Sequence, residues 1–111
     1  MLSDNGQVEF FFLKDFHDMR CKYDRVLSVI RQQMNREPRF GEAYIMMSRN
    51  RRTVRIYRYD EKACILHEKR FHPGYTFMRV EWEGDSQVFR INWRDVARIL
   101  DYPVMKILKI K

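Results

Sequence analysis

A chain of 111 residues is the length of one small domain, and a content of 45% hydrophobic and 14% aromatic residues suits a folded globule rather than a disordered tail. The apolar runs fall far short of the roughly 20 residues that span a bilayer, and Met1 to Gly6 lack the basic start and apolar core of a signal peptide, so a cytoplasmic address with no membrane partner is expected. The formal net charge of +7 is concentrated: residues 49–70 carry eight Lys/Arg against three Asp/Glu, while residues 1–48 balance at seven of each.

Such a local excess steers an anionic partner, nucleic acid being the commonest, or else forms a well-solvated face. The two cysteines, Cys21 and Cys64, are too few for a disulfide scaffold and read as reduced, buried apolar residues.

In chain order, Val8 to Leu13 is rich in aromatic residues and predicts a strand. Asp15 or Asp18 is placed to cap a helix over about 18–35, because a side-chain oxygen there accepts from the free N–H groups of the first turn. Met19, Tyr23, Val26, Leu27, Ile30 and Met34 recur at helical spacing as one apolar stripe, and Pro38 ends the helix by disfavouring helical geometry at Glu37. Arg39-Phe40-Gly41 reads as a turn, and Ala43 to Ser48 as the next strand.

The stretch Arg49 to Asp60 organises the remainder. Five arginines stand in its first ten residues, at a turn that feeds a strand over Thr53 to Tyr59. Alternation along a strand puts Val54 and Ile56 on one face and Arg55, Tyr57 and Tyr59 on the other. A second turn over Asp60 to Ala63 leads to a strand over Cys64 to Phe71, which Pro73 and Gly74 end. Phe77 to Glu83 and Gln87 to Ile91 predict a hairpin across Gly84-Asp85-Ser86. Asn92 is a candidate cap for a short helix over about 93–100, with Val96, Ile99 and Leu100 inward. The tail 104–111 is apolar with lysines, and its periodicity leaves strand, helix and frayed end open. The expected architecture is α+β, one domain over 1–111, with a mostly antiparallel sheet of hairpins packed by the longer N-terminal and the shorter C-terminal helix.

Chemistry concentrates at the arginine turn. Guanidinium groups bind phosphate through paired hydrogen bonds, and a β-ribbon can approach DNA with its turn forward. Arg49, Arg51, Arg52 and Arg55 are the candidate phosphate contacts, extended by Arg58, Lys69 and Arg70, with Tyr57 and Tyr59 as candidate stacking residues. The competing reading has these tyrosines packed across strands and the arginines only solvated. No metal or cofactor is expected: Cys64 and His67 fall on opposite faces of a strand, and with His72 they make an incomplete ligand set. Asp18, Asp24, Asp60 and Asp95 are scattered rather than clustered for divalent ions, and no nucleophile motif or phosphate-cradling glycine loop is present, so no catalytic residue is assigned.

Asp18-Met19-Arg20 and Tyr23-Asp24, Arg49 to Arg51 followed by Arg55 and Tyr59-Asp60, Lys69-Arg70-Phe71 with Gly74, and the closing Trp93-Arg94-Asp95-Val96-Ala97-Arg98-Ile99-Leu100 stand in a specific order. Through them the chain resembles, over roughly residues 17–101, the TnpB or Orf2-like accessory proteins encoded beside the transposase in bacterial insertion sequences of the "sixty-six" family. These are not the RNA-guided nucleases that share the TnpB name. Asn50 interrupts what is typically an unbroken basic triplet in that family. The resemblance implies a non-catalytic helper of DNA transposition, with transposon-end DNA, the transposase and other insertion-sequence proteins as partners. The basic hairpin Arg49 to Arg58 is then the expected DNA contact. The alternative is a protein–protein adaptor without DNA affinity of its own, for which Arg20 and Trp93 are candidate partner contacts.

Overall fold

A computed structural model describes residues 8–60, 62–101 and 107–110. The chain is α+β. Strand β1 (Glu9–Leu13) is followed by helix α1 (Tyr23–Met34), then by β2 (Glu42–Met47), β3 (Thr53–Tyr59) and β4 (Cys64–Arg70). After these come β5 (Arg79–Trp82), β6 (Val88–Ile91), helix α2 (Trp93–Asp101) and β7 (Ile107–Ile110). Five strands form one sheet in the order β4-β3-β2-β1-β6, mostly antiparallel, while β5 and β7 pair in a separate two-stranded sheet.

The exception to antiparallel pairing is β1 with β2, which run parallel with Phe10 opposite Ala43 and Phe12 opposite Ile45. A parallel neighbour cannot be reached by a tight turn, and α1 supplies the crossover.

Both faces of the sheet are covered. Val26, Val29 and Ile30 of α1 pack with Leu13, Phe16, Tyr44, Met46 and Tyr57 on one side. Phe10, Phe12, Ala43, Ile45, Met47, Val54 and Ile56 face the other way, towards Val96 and Ile99 of α2 and Ile110 of β7. Strand β2, at the centre, is buried at every position, as a strand covered on both faces must be. The alternation that placed Val54 and Ile56 opposite Tyr57 along β3 holds.

Several expectations are corrected. Helix α1 starts at Tyr23, and neither Asp15 nor Asp18 caps it; its N-cap is Lys22, with no side-chain hydrogen bond. Asp18 Oδ1 accepts instead from Arg20 N at 3.0 Å, and the Cys21 carbonyl accepts from the Arg55 guanidinium, which ties this segment to the sheet before the helix begins. Within the stripe Tyr23 is exposed, and Val29, which the spacing left out, is buried. The helix ends in a left-handed cap at Asn35 (φ 56°), three residues before Pro38.

The predicted hairpin of residues 77–91 does not form. Strand β6 pairs antiparallel with β1, Phe10 opposite Ile91, because β1 would otherwise leave an unpaired edge. Strand β5 lies over the sheet and pairs with β7, while Trp82 sits between Phe12 and Phe89 with ring centroids 4.6 Å from each. The tail therefore contributes a strand at 107–110; residues 104–106 and 111 lie outside the described residues. Cys64 is exposed at the start of the edge strand β4 and Cys21 is half-buried, so neither is a core residue.

The short helix meets its expectation closely. Asn92 Oδ1 accepts from Asp95 N at 2.9 Å, and Val96 and Ile99 are buried.

Candidate nucleic-acid interface

The β2–β3 turn is built by its own side chains. Ser48 N donates to Thr53 O at 2.9 Å and Arg51 N to Ser48 O at 3.0 Å, closing the loop. Inside it the Ser48 hydroxyl donates to Asn50 Oδ1 (2.7 Å) and accepts from Thr53 N (3.1 Å), while Asn50 Oδ1 also accepts from Arg52 N (3.1 Å). Asn50 is thus the turn's internal brace, accepting from the Arg52 N–H and the Ser48 hydroxyl as a cation could not. Arg51 is held at φ 58°, a left-handed conformation that costs an L residue with a long side chain roughly 1–2 kcal/mol. Strain of this kind persists where surrounding bonds over-determine it, as the Ser48 and Asn50 bonds do here.

The turn projects from one end of the sheet, and the parallel pairing decides what stands beside it. Because β1 and β2 run the same way, the segment leaving β1 emerges next to the segment leaving β2. His17 Nδ1 donates to Met47 O at 2.8 Å and pins that segment there. Two shallow clefts result. One is lined by Asp15, His17, Asp18, Arg20, Arg25 and Arg49, the other by Lys14, His17, Ser48, Arg49, Arg51 and Arg79 among others. Arg49 borders both. Among the described residues, no carboxylate lies within 4.0 Å of a guanidinium nitrogen of Arg49, Arg51, Arg52 or Arg58.

The other candidate residues separate from this cluster. Arg52 is half-buried and its Nη2 donates to Phe71 O at 3.4 Å. Arg55 is only 11% exposed in its side chain and pairs with Glu68 at 3.1 Å, on the α1 face. Tyr57 is 1% exposed beneath α1, so it offers no ring for a base, and burial pushes its phenol pKa up. Tyr59 is half-buried against the same core. Arg58 lies half-buried on the opposite face of β3.

Lys69 places Nζ 2.5 Å from Leu100 O and 5.2 Å from the Phe71 ring centre, acting as the cation at the C-terminal end of α2. Arg70 pairs with Glu68 at 3.3 Å. Arg20 is exposed beside Asp18 at 3.5 Å. Trp93 is half-buried, its ring 5.5 Å from that of Phe10, and it lines an apolar cavity of about 290 Å³ with Val54, Ile56, Ala97 and Leu100.

Lys14, His17, Arg25 and Arg79 do not stand out in the sequence. They are scattered along the chain and share no spacing; only the β1–β2 register brings the first three to the turn.

Among the described residues, no three His, Cys, Asp or Glu side chains gather as a metal site, and no helix is long and apolar enough to cross a membrane. A family model described as IS66 Orf2 like protein matches residues 8–106. No curated protein and no solved structure matches.

Proposed function

The chain belongs to the IS66 Orf2-like family, a non-catalytic accessory component of insertion-sequence transposition, and on that premise we propose that it binds transposon-end DNA, in the cytoplasm, through the Ser48–Thr53 turn and the basic side chains around it. One observation carries the reading: exposed Arg49 and half-buried Arg51 stand on a braced turn with no carboxylate within 4.0 Å among the described residues, beside clefts that add Lys14, Arg25 and Arg79, and Arg20 in its pair with Asp18. Cations released from internal pairing are available to phosphate, and a turn fixed by its own hydrogen bonds loses little freedom on contact.

Phosphate contacts position a protein on DNA without reading its sequence, so the turn provides affinity and register. Sequence choice at the transposon end falls to the transposase partner. Arg49 and Arg51 are the primary contacts in this reading, with Arg52 and Arg58 at its margin, whereas Arg20 and Arg70 are already paired with Asp18 and Glu68. Arg55, Tyr57 and Lys69 serve the fold.

The test is the salt dependence of DNA binding. Replacing Arg49 and Arg51 together by alanine is expected to weaken binding and to lower the slope of log K against log salt by about 2, one for each phosphate that is no longer neutralised. An unchanged slope would remove the turn from the interface. Co-purification with the transposase without any DNA affinity at low salt would favour the adaptor role instead, for which the apolar cavity beside Trp93 is the candidate surface.

A further inference from the structure

The segment following β4 is clamped to the arginine turn at two points. Phe71 N donates to Arg52 O at 2.8 Å, and Phe77 N donates to Arg51 O at 2.6 Å. The Phe71 and Phe77 rings close the base of this loop, 4.2 Å between centroids, with Phe77 fully buried. Between the anchors the chain reverses at Gly74 (φ 98°), where Tyr75 N donates to His72 O at 3.2 Å. Tyr75 is two residues from Phe77, and so within about 7 Å of it along the backbone. The residue is 56% exposed.

A loop hydrogen-bonded to the backbone of Arg51 and Arg52 that leaves a large aromatic residue exposed joins the two components of a single-strand binding surface. Cations track the backbone, and an aromatic face takes a base. The bases of an intact duplex are stacked on each other and have no free face for a protein ring. Away from a duplex end, a base can lie on tyrosine only where it is unpaired.

Building on the DNA reading above, we propose that Tyr75 is the stacking platform for an unpaired base whose flanking phosphates meet Arg49 and Arg51. The DNA this surface takes is accordingly single-stranded, or carries unpaired nucleotides. Tyr57, a candidate from the alternation along β3, is excluded by its burial; Tyr75 belongs to a separate loop that is anchored to the turn at Phe71 and Phe77.

The test uses fluorescence anisotropy on the full chain, with a labelled single strand of about ten nucleotides and a blunt duplex of the same sequence. The wild-type protein is expected to prefer the single strand. Tyr75→Ala should lose about tenfold in affinity for it and leave duplex binding unchanged, while Tyr75→Phe, which keeps the ring, should bind as wild type. The salt slope of Tyr75→Ala should match wild type because no cation is removed. Equal losses on both DNAs, or no loss on either, would overturn the assignment. If the Arg49/Arg51 variant loses affinity while Tyr75→Ala does not, the stacking role falls and the turn stands. If wild type binds neither DNA at low salt, both fall.

Discussion

Glu42 opens β2 with its side chain nearly out of water, at 6% exposure for the residue. Its carboxylate accepts from both terminal nitrogens of Arg36 at 2.9 and 2.6 Å, from Arg39 N at 2.8 Å and from the Tyr44 hydroxyl. Burial alone would raise its pKa, but the bonds from Arg36, Tyr44 and Arg39 together outweigh that and hold it below the ordinary carboxylate value. Burial and then the Glu42 contact push the Tyr44 phenol up, as the hydrogen bond to Glu42 does for Arg36. Removing one partner of a buried pair strands the other, so Glu42→Ala is expected to lower stability by about 3 kcal/mol in urea titration at neutral pH. A depressed folded-state pKa stabilises the fold above the unfolded value of about 4.3, and that contribution is lost as the pH falls through the lower folded value. The gap between wild type and Glu42→Ala should therefore narrow in acid over that window. Glu37→Ala is the control: its pair with Arg31 is exposed on both sides, and its urea midpoint should stay close to wild type.

The β2–β3 turn separates charge from fold more cleanly than any strand position. At Arg51, φ 58° suits glycine. Arg51→Gly relieves roughly 1–2 kcal/mol of strain and loses about 0.5–1 kcal/mol to the freer unfolded backbone. Thermal unfolding of Arg51→Gly is thus expected at or slightly above the wild-type temperature, while the DNA salt slope falls by about 1. A drop in both would mean that the arginine side chain braces the turn. Strand β3 was legible in the sequence because β-branched and aromatic residues alternate with arginines between two turns. The start of α1 was not, because Asp18 bonds locally to Arg20 N and the Cys21 carbonyl is taken by Arg55, a residue far along the chain. Asn50 looked like a gap in the basic run for a related reason: its use lies in backbone bonds that composition does not display. The arginines at the tip were legible from charge alone, whereas Arg55 and Lys69 have the same charge and are spent on Glu68 and the end of α2.

For the molecule as a whole, the second layer depends on its last strand. Ile110 is buried among the residues facing α2, and β7 is the partner that holds β5 over Phe12 and Phe89. Ile110→Ala is expected to cost about 3 kcal/mol, read from the denaturant midpoint. The α+β class and the two helices follow from residue pattern, since they depend on local spacing. The pairing of β6 with β1 and of β5 with β7 does not, because a strand's partner is chosen by which edge and which apolar face remain uncovered. The basic clefts depend on that pairing too, since Lys14 and Arg25 join Arg49 only through the parallel register. The same register governs assembly order. Strand β1 is synthesised before both of its neighbours, β2, which reaches it after the α1 crossover, and β6, whose Ile91 pairs with Phe10. Until the ribosome has delivered residue 91, one side of an aromatic strand has no neighbour, so the nascent chain carries an aggregation-prone edge until then. Mostly non-local pairing places refolding towards the slow end for a chain of this size, and growth temperature and chaperone supply would set its yield before they affected its folded stability.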